Sequence, residues 1–374
     1  MSKRIISQKN KLKILVALSG GVDSAVATQL LVNEGHDVSA VFLRLWQESE
    51  EESIEKKNNF ENHISSDLAC QDAKKIAQKI GVPFFCLDLS LEFKQKVVDY
   101  FLFEYESGRT PNPCVVCNRE IKLGLLFKQT LALAYDFLAT GHYLRTAKNN
   151  DGSIAVFKAK DKLKDQSYFL YNLNQSQLKN LYFPLGNYTK DEVKELANKF
   201  GLITANKKES QDICFITGLH SDFLKKHLKL VLGDIKLKET GKTIGRHQGL
   251  ALYTLGQRKG IDIGGDGPYY VAEKDIKNNI LWVASALDIS FLEKKEFIVR
   301  DLNWLSGEAP KSSRTCQVAI RYSQEAVAAR VSPYEAGAVK VELVKAIRAI
   351  ASGQSAVFYD KQKLLGGGVI DNSL

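Results

Sequence analysis

No apolar run in this 374-residue chain is long enough to cross a bilayer as a helix, which argues against a helical membrane protein. The first thirteen residues are polar and basic and lack an apolar centre, so no secretory leader is expected. Six cysteines are too few for a disulfide scaffold at this length. Reduced thiols and a cytoplasmic location are the resulting expectation. Acidic residues are in deficit, 43 against 52 Lys and Arg, for a net charge of +9. That balance suits a polyanionic partner, nucleic acid first, and equally suits a solvated lysine-rich surface. Internal repeats and low-complexity linkers are absent. So is a Walker loop. Gly241-Lys242-Thr243 has the right ending, but Lys236 stands where the first glycine is required.

What the chain has instead is Leu18-Ser19-Gly20-Gly21-Val22-Asp23-Ser24, placed after the apolar run Ile14-Leu15-Val16-Ala17 and before a helical pattern that stops at Gly35. The order reads strand, glycine turn, helix. Two glycines let the backbone approach a ligand with no Cβ between. The turn's N–H groups, the Ser19 and Ser24 hydroxyls and the helix N-terminus then form an anion site suited to phosphate or pyrophosphate. The bland alternative is an ordinary strand-to-helix turn. The pattern resembles the pyrophosphate loop of ATP pyrophosphatases, which split ATP between its α and β phosphates.

Strands are expected over residues 13–18, 38–45, 82–89 and 137–140, and helices over 22–34, 68–80 and 91–107. In the last of these, Phe93, Val97, Phe101 and Tyr105 recur every four residues. Residues 48–59 are polar throughout and read as a loop. Strand–helix alternation predicts an α/β fold with a doubly wound parallel sheet, whose ligands sit at the carboxyl ends of the strands. Thr189 and Glu192 form a capping box for a helix ending at Gly201. Glycine clustering over 219–286 suggests a small, mainly β central domain. Short strands at 318–322, 327–331, 339–344, 356–359 and 364–370 suggest a small C-terminal barrel or sandwich. The expected domains are therefore 1–218, 219–286 and 287–374, with the catalytic apparatus in the first.

Thr110-Pro111-Asn112-Pro113-Cys114-Val115-Val116-Cys117-Asn118 is the second strong signal. Two prolines hold the backbone extended, and Asn118 is expected to cap a helix over 119–133. Cys117 would then lie just before a helix N-terminus, where the dipole lowers a thiol pKa. Three readings compete: a zinc ligand pair lacking an obvious second pair, inert core cysteines, and sulfur or redox chemistry. A third cysteine, Cys214, stands in the segment Ser210-Gln211-Asp212-Ile213-Cys214 just after Lys207-Lys208, and those lysines would favour a sulfur anion, whereas taken alone the residue reads as a buried apolar one.

Together with residues 108–124 (GRTPNPCVVCNREIKLG), 139–143 (ATGHY), 164–171 (KDQSYFLY), 210–216, 245–260 (GRHQGLALYTLGQRKG) and 353–359 (GQSAVFY), the turn resembles the tRNA 2-thiouridylase family across nearly the whole chain. The resemblance implies ATP-dependent 2-thiolation of the wobble uridine of tRNA. ATP with Mg²⁺ would be bound by Ala17, Leu18, Ser19, Gly20, Gly21, Val22, Asp23, Ser24, Leu43 and Gly141, with Asp23 either near the metal or bracing the loop. Cys214 would carry the incoming sulfur as a persulfide and Cys117 would be its partner, the two closing a transient disulfide. The tRNA would meet Asn112, Pro113, Cys114, His142, Lys164, Asp165, Gln166, Arg321, Tyr322 and Gln354. Some members of the family carry aspartate where this chain has Cys114, so no role is carried over to that thiol beyond its place. Further expectations are a tRNA anticodon loop as substrate, a cysteine desulfurase or sulfur-carrier protein as donor, and a monomeric enzyme. Two other readings are a different ATP pyrophosphatase, which would need no cysteine pair, and a zinc-bearing RNA-binding module.

Overall fold

The structure is a computed structural model and describes residues 11–45, 60–203, 213–216, 218–261, 263, 268–286, 288–335 and 337–373. The expected loop at 48–59 lies outside these residues, as do Lys207-Lys208 and Ser210-Gln211-Asp212. Along the chain come β1 (Lys13–Ala17), α1 (Val22–Asn33), β2 (Asp37–Arg44), α2 (Phe60–Ile80), β3 (Phe84–Asp88), α3 over residues 90–106, α4 over 113–132 and β4 (Phe137–Ala139). The hairpin β5 (Leu144–Lys148) and β6 (Ile154–Lys158), then β7 (Leu181–Tyr182) and α5 (Lys190–Lys199), follow.

Five of these strands pair in parallel in the order β3-β2-β1-β4-β7. Ile14, Leu15 and Val16 of β1 are all buried, as a central parallel strand covered on both faces requires. Small residues let α1 lie close to the sheet: Ala25, Ala27 and Thr28 are fully buried. Its chain then reverses at Gly35, whose φ of 86° is the left-handed conformation glycine adopts without penalty. The order reverses between β1 and β4, so the loops after these two strands flank the crevice where such sheets bind ligands. On α3, the four expected apolar residues are buried.

The hairpin β5–β6 leaves the parallel sheet. Its second strand, β6, pairs antiparallel with β17 (Lys363–Ser373), with Lys363 opposite Phe157 and Leu364 opposite Val156. One apolar core accordingly holds Leu15, Val115 and Leu138 together with Val357, Tyr359 and Leu364.

The central segment starts with a helix the glycine-rich texture had hidden, α6 (His220–His227). It continues into β8 (Gly233–Leu237), β9 (Thr243–His247), β10 (Tyr269–Asp275) and β11 (Ile280–Ser285), paired in the order β10-β11-β8-β9. The last segment forms β12 (Glu293–Trp304), β13 (Arg314–Ala319), β14 (Val327–Pro333), β15 (Val339–Arg348), β16 (Ser355–Asp360) and β17. Pairing of β12 with β17 closes these six strands into a barrel rather than a sandwich. Trp304 stacks on Phe358 among the barrel's core residues at 5.1 Å between ring centres.

Candidate active site

The turn after β1 is held to α2. Gly20 has φ 78°, and a Cβ there would sit 2.7 Å from the Ala69 carbonyl oxygen, so a side chain is excluded on two counts. Gly21 is the N-cap of α1 and no side chain caps that end. The Ser24 hydroxyl donates to the Gly21 carbonyl at 3.1 Å and accepts from the Ser19 N–H at 3.2 Å, fixing the turn from inside. The two serine hydroxyls are themselves 3.2 Å apart. Gly141 presses the loop after β4 onto the same place: a Cβ there would meet the Ser24 nitrogen at 2.9 Å. Leu43 is half-buried near the carboxyl end of β2, opposite Leu87, and Ala17 ends β1. Residues 17–24, Leu43 and Gly141 thus gather at the carboxyl ends of β1, β2 and β4.

Asp23 is engaged by its own protein. The Lys190 ammonium reaches its two oxygens at 2.7 and 2.8 Å, and the Tyr143 hydroxyl donates to it at 2.6 Å. Lys190 is the first residue of α5, and its side chain is only 7% exposed. Both halves of the expected capping box are present, Thr189 bonding the Glu192 N–H and Glu192 the Thr189 N–H, and they fix the helix end that presents this lysine. Asp23 braces the turn. With its oxygens so occupied, it is not set up as the anchor of a protein metal cage. Among the described residues no group of three or more His, Cys, Asp or Glu is placed to hold a metal ion.

The cysteine segment corrects one expectation. Asn112, not Asn118, is the N-cap: its Oδ1 accepts from the Val115 N–H at 3.3 Å, and Pro113 takes the first helical position, where a missing N–H costs nothing. Cys117 therefore lies inside α4, a full turn beyond the N-terminus and beyond the dipole's main reach. Burial dominates instead. Cys117 is 4% exposed, and its thiol is pushed up to about 12, with the Lys122 ammonium pulling the other way.

From Asn118 to Leu125 the helix widens to π geometry before returning to α at Leu126–Ala132. Gly124 permits this, since a Cβ there would be 2.4 Å from the Arg119 carbonyl oxygen. Residues five apart come onto one face in such a segment. Lys122 consequently joins Cys117.

Cys114, Cys117 and Cys214 line one cavity of about 120 Å³ with Asn118, Lys122, His142, Gln166 and Phe169. All three thiols are free. Phe215 anchors the Cys214 segment, edge-on to Phe93 at 5.6 Å and to Phe101 at 5.3 Å. By surface area Cys214 is exposed, yet desolvation is the main influence on its thiol and raises it above the ordinary range. These agree for a residue on the cavity rim whose sulfur faces inward. Among the described residues, Lys122 is the only cationic side chain in the lining. It opposes burial at each of the three thiols. Burial, with Lys122 adding to it, holds His142 down to about 3 and so neutral; its Nδ1 lies 2.8 Å from the Thr140 hydroxyl. Nothing in the sequence marked Lys122, although Gly124 in the same motif was the available signal.

The cavity adjoins the glycine turn. Gly141 packs on the turn, while the next residue, His142, lines the cavity. Gln166, also in the lining, accepts from the Tyr143 N–H at 3.0 Å, and the Tyr143 hydroxyl reaches Asp23.

The remaining candidates are spread out. Pro113 lines the cavity, and Asp165 spends its carboxylate on the Ala159 N–H and on Ser167. Lys164 is half-buried on the same loop. Tyr322 is 42% exposed, and its ring packs on Phe169 at 4.5 Å between centres, tilted by 38°. Gln354 donates from Nε2 to the carbonyls of Thr110 and Pro111 at 3.0 and 3.1 Å. It lines a second groove with Arg321, Thr110, Thr254 and Gln257, outside the cysteine cavity. The Arg321 guanidinium donates to the Ala349 carbonyl at 2.8 Å.

A parallel sheet with a glycine turn at its switch point defines a nucleotide-binding α/β enzyme, here with a thiol-lined cavity beside the turn. Family comparison agrees in order along the chain: residues 12–218 match the tRNA methyl transferase HUP domain, 221–285 the tRNA methyl transferase PRC-barrel domain, and 294–370 the aminomethyltransferase beta-barrel domain. The tRNA-specific 2-thiouridylase MnmA of Francisella philomiragia is 42% identical over 96% of this chain and 99% of its own length. Its counterpart in Francisella tularensis subsp. novicida is 40% identical over the same shares. The chain belongs to the tRNA-specific 2-thiouridylase family, whose members are sulfurtransferases.

Proposed function

We propose that the protein puts sulfur on C2 of the wobble uridine of tRNA in two steps, one at the glycine turn and one in the cysteine cavity. The C2 carbonyl is amide-like and its oxygen leaves poorly. Attack of that oxygen on the α-phosphate of ATP expels pyrophosphate and leaves O2 as part of AMP, a good leaving group. The backbone N–H groups of residues 19–24 and the start of α1 hold the phosphates, and Lys190 and Tyr143 keep Asp23 in place beneath them. Leu43 lies against the adenine and Gly141 against the nucleotide. Mg²⁺ bound to the phosphates would offset their charge.

Cys214 then carries a sulfur as persulfide, received from a desulfurase or carrier protein. Either its terminal sulfur attacks C2 and Cys117 afterwards attacks the Cys214 Sγ, or Cys117 attacks first and releases hydrosulfide that attacks C2. In both routes AMP departs with the old oxygen, a Cys117–Cys214 disulfide remains, and a reductant reopens it. Lys122 is the counter-ion for whichever sulfur is anionic. Cys114 is a bystander. The uridine leaves its stack to reach the cavity. Asn112, Pro113, His142 and residues 164–166 line its path, and Arg321, Tyr322 and Gln354 of the barrel meet the RNA. On this reading residues 1–218 carry the chemistry, while 219–286 and 287–374 hold tRNA, largely through phosphate contacts that the net charge favours.

One observation carries the proposal: two cysteines 97 positions apart line one cavity that adjoins the glycine turn. Its test is mass spectrometry of nucleosides from tRNA incubated with the protein, ATP and a sulfide source. ATP-dependent appearance of 2-thiouridine is expected, and its absence rejects the proposal.

A further inference from the structure

A second pair of thiols lies outside the cavity. Cys70 on α2 and Cys86 on β3 place their Sγ atoms 3.8 Å apart. The fold creates the pair: α2 packs back on the sheet, the chain turns at Gly81 with φ 82°, and β3 runs beside β2 with Cys86 opposite Phe42. Cys70 is half-buried and Cys86 exposed, so solutes reach the pair from one side. The same turn of α2 is the seat of the glycine turn. A Cβ on Gly20 would meet the Ala69 carbonyl at 2.7 Å, and Ala73 N and the Asp72 Cβ at 3.5 Å each. Cys70 is therefore flanked by the residues on which Gly20 rests.

We propose that Cys70 and Cys86 are an oxidisable dithiol, and that closing their disulfide shifts the seat of the glycine turn and weakens nucleotide binding. The nucleotide half of this rests on the functional reading above; the thiol half does not. The oxidant is of the hydroperoxide class. One thiolate attacks a peroxide oxygen and breaks the O–O bond, giving a sulfenic acid and, after protonation, water or an alcohol. The second thiol attacks that sulfur, forms the S–S bond and releases water. A thiol reductant reverses the change by exchange. Desolvation and the neighbouring Cys70 push the Cys86 thiol up, while Arg44 pulls it down, so oxidation quickens as pH rises.

The test uses the full chain, treated with hydrogen peroxide, blocked with N-ethylmaleimide and cut with trypsin. A cross-linked peptide joining residues 58–74 to 80–94 is expected, and dithiothreitol should remove it. ATP affinity should fall roughly fivefold in the oxidised protein, the low end of ordinary site coupling. Cys70→Ser should keep its affinity under peroxide, and Cys86→Ser should do the same if the first variant folds poorly. The dithiol is refuted if Cys70 and Cys86 both remain alkylated while Cys117 and Cys214 have oxidised. A link that leaves ATP affinity unchanged overturns the coupling. Failure of the reduced protein to bind ATP would sink the functional reading and leave the linked peptide to decide the thiol pair alone.

Discussion

Lys122 follows Cys117 by five residues through a π-helical stretch, and both line the cavity that Cys214 also borders. The relationship sets a cation beside these thiols, where it opposes the burial that keeps them protonated. In the resting protein burial outweighs it and keeps the Cys117 thiol protonated up to about 12. Cys117 should accordingly react with iodoacetamide more slowly than a free thiol at every pH below 10, with the rate still rising there. Removing the cation by Lys122→Met raises that thiol further. Alkylation should slow again, and 2-thiouridine formation should fall by about tenfold or more, one pKa unit being worth about 1.4 kcal/mol. Lys122→Arg should recover part of both. Equal alkylation profiles for Met and wild type would remove the lysine from this role.

The division of labour between turn and cavity predicts a clean separation. Cys117→Ser and Cys214→Ser should each abolish thiolation while pyrophosphate release from ATP in the presence of tRNA persists. Normal 2-thiouridine production by either variant would contradict the sulfur-transfer step.

Gly141→Ala tests the turn from the other side. The added Cβ would lie 2.9 Å from the Ser24 nitrogen, against backbone that has nowhere to go. ATP-dependent AMP formation should drop by two orders of magnitude or so, whereas the alkylation rates of Cys117 and Cys214 stay near wild type.

Lys190→Met leaves Asp23 with the Tyr143 hydroxyl alone. Losing one partner of a largely buried ion pair costs several kcal/mol in a dry interior, about 3–5, and less here because the Asp23 side chain is 33% exposed. A melting temperature lower by several degrees is expected, with AMP formation lost in parallel. An unchanged melting curve would mean that the pair does not brace the turn.

His142 provides a negative control on pH. Burial holds it down to about 3, so it stays neutral from pH 5 to 8. Its folded-state value is depressed, so the neutral form is favoured on folding and that contribution to stability is lost only as pH falls below the ordinary histidine range. The thiolation rate should show no inflection near 6.5 that His142→Gln abolishes.

Local patterns were legible in the sequence. The glycine turn, the Thr189–Glu192 box and the four-residue spacing of Phe93, Val97, Phe101 and Tyr105 all specify their structure from within a few residues. The cap of α4 was misread because Asn112 and Asn118 are both competent N-caps, and only the tolerance of proline at the first helical position decides for Asn112. Lys122 stayed hidden because a 3.6-residue periodicity does not put it beside Cys117; the widened helix does. The Asp23–Lys190 pair depends on how α1 and α5 pack together, and the Cys70–Cys86 approach on how α2 packs back on the sheet. Sequence separation of 167 residues gives no hint of the first. The helix at His220–His227 was masked by the glycines that follow it.

The hairpin of residues 144–158 shares its sheet with β17, the last strand described. A nascent chain that has emerged only as far as Asp360 therefore holds an unclosed barrel and a hairpin whose β6 edge is still unpaired, both waiting for the same eleven residues. One strand, β17, thus joins the hairpin of the first segment to the barrel of the last. Separate expression of the three segments should yield an aggregation-prone first piece, however self-sufficient its parallel sheet looks.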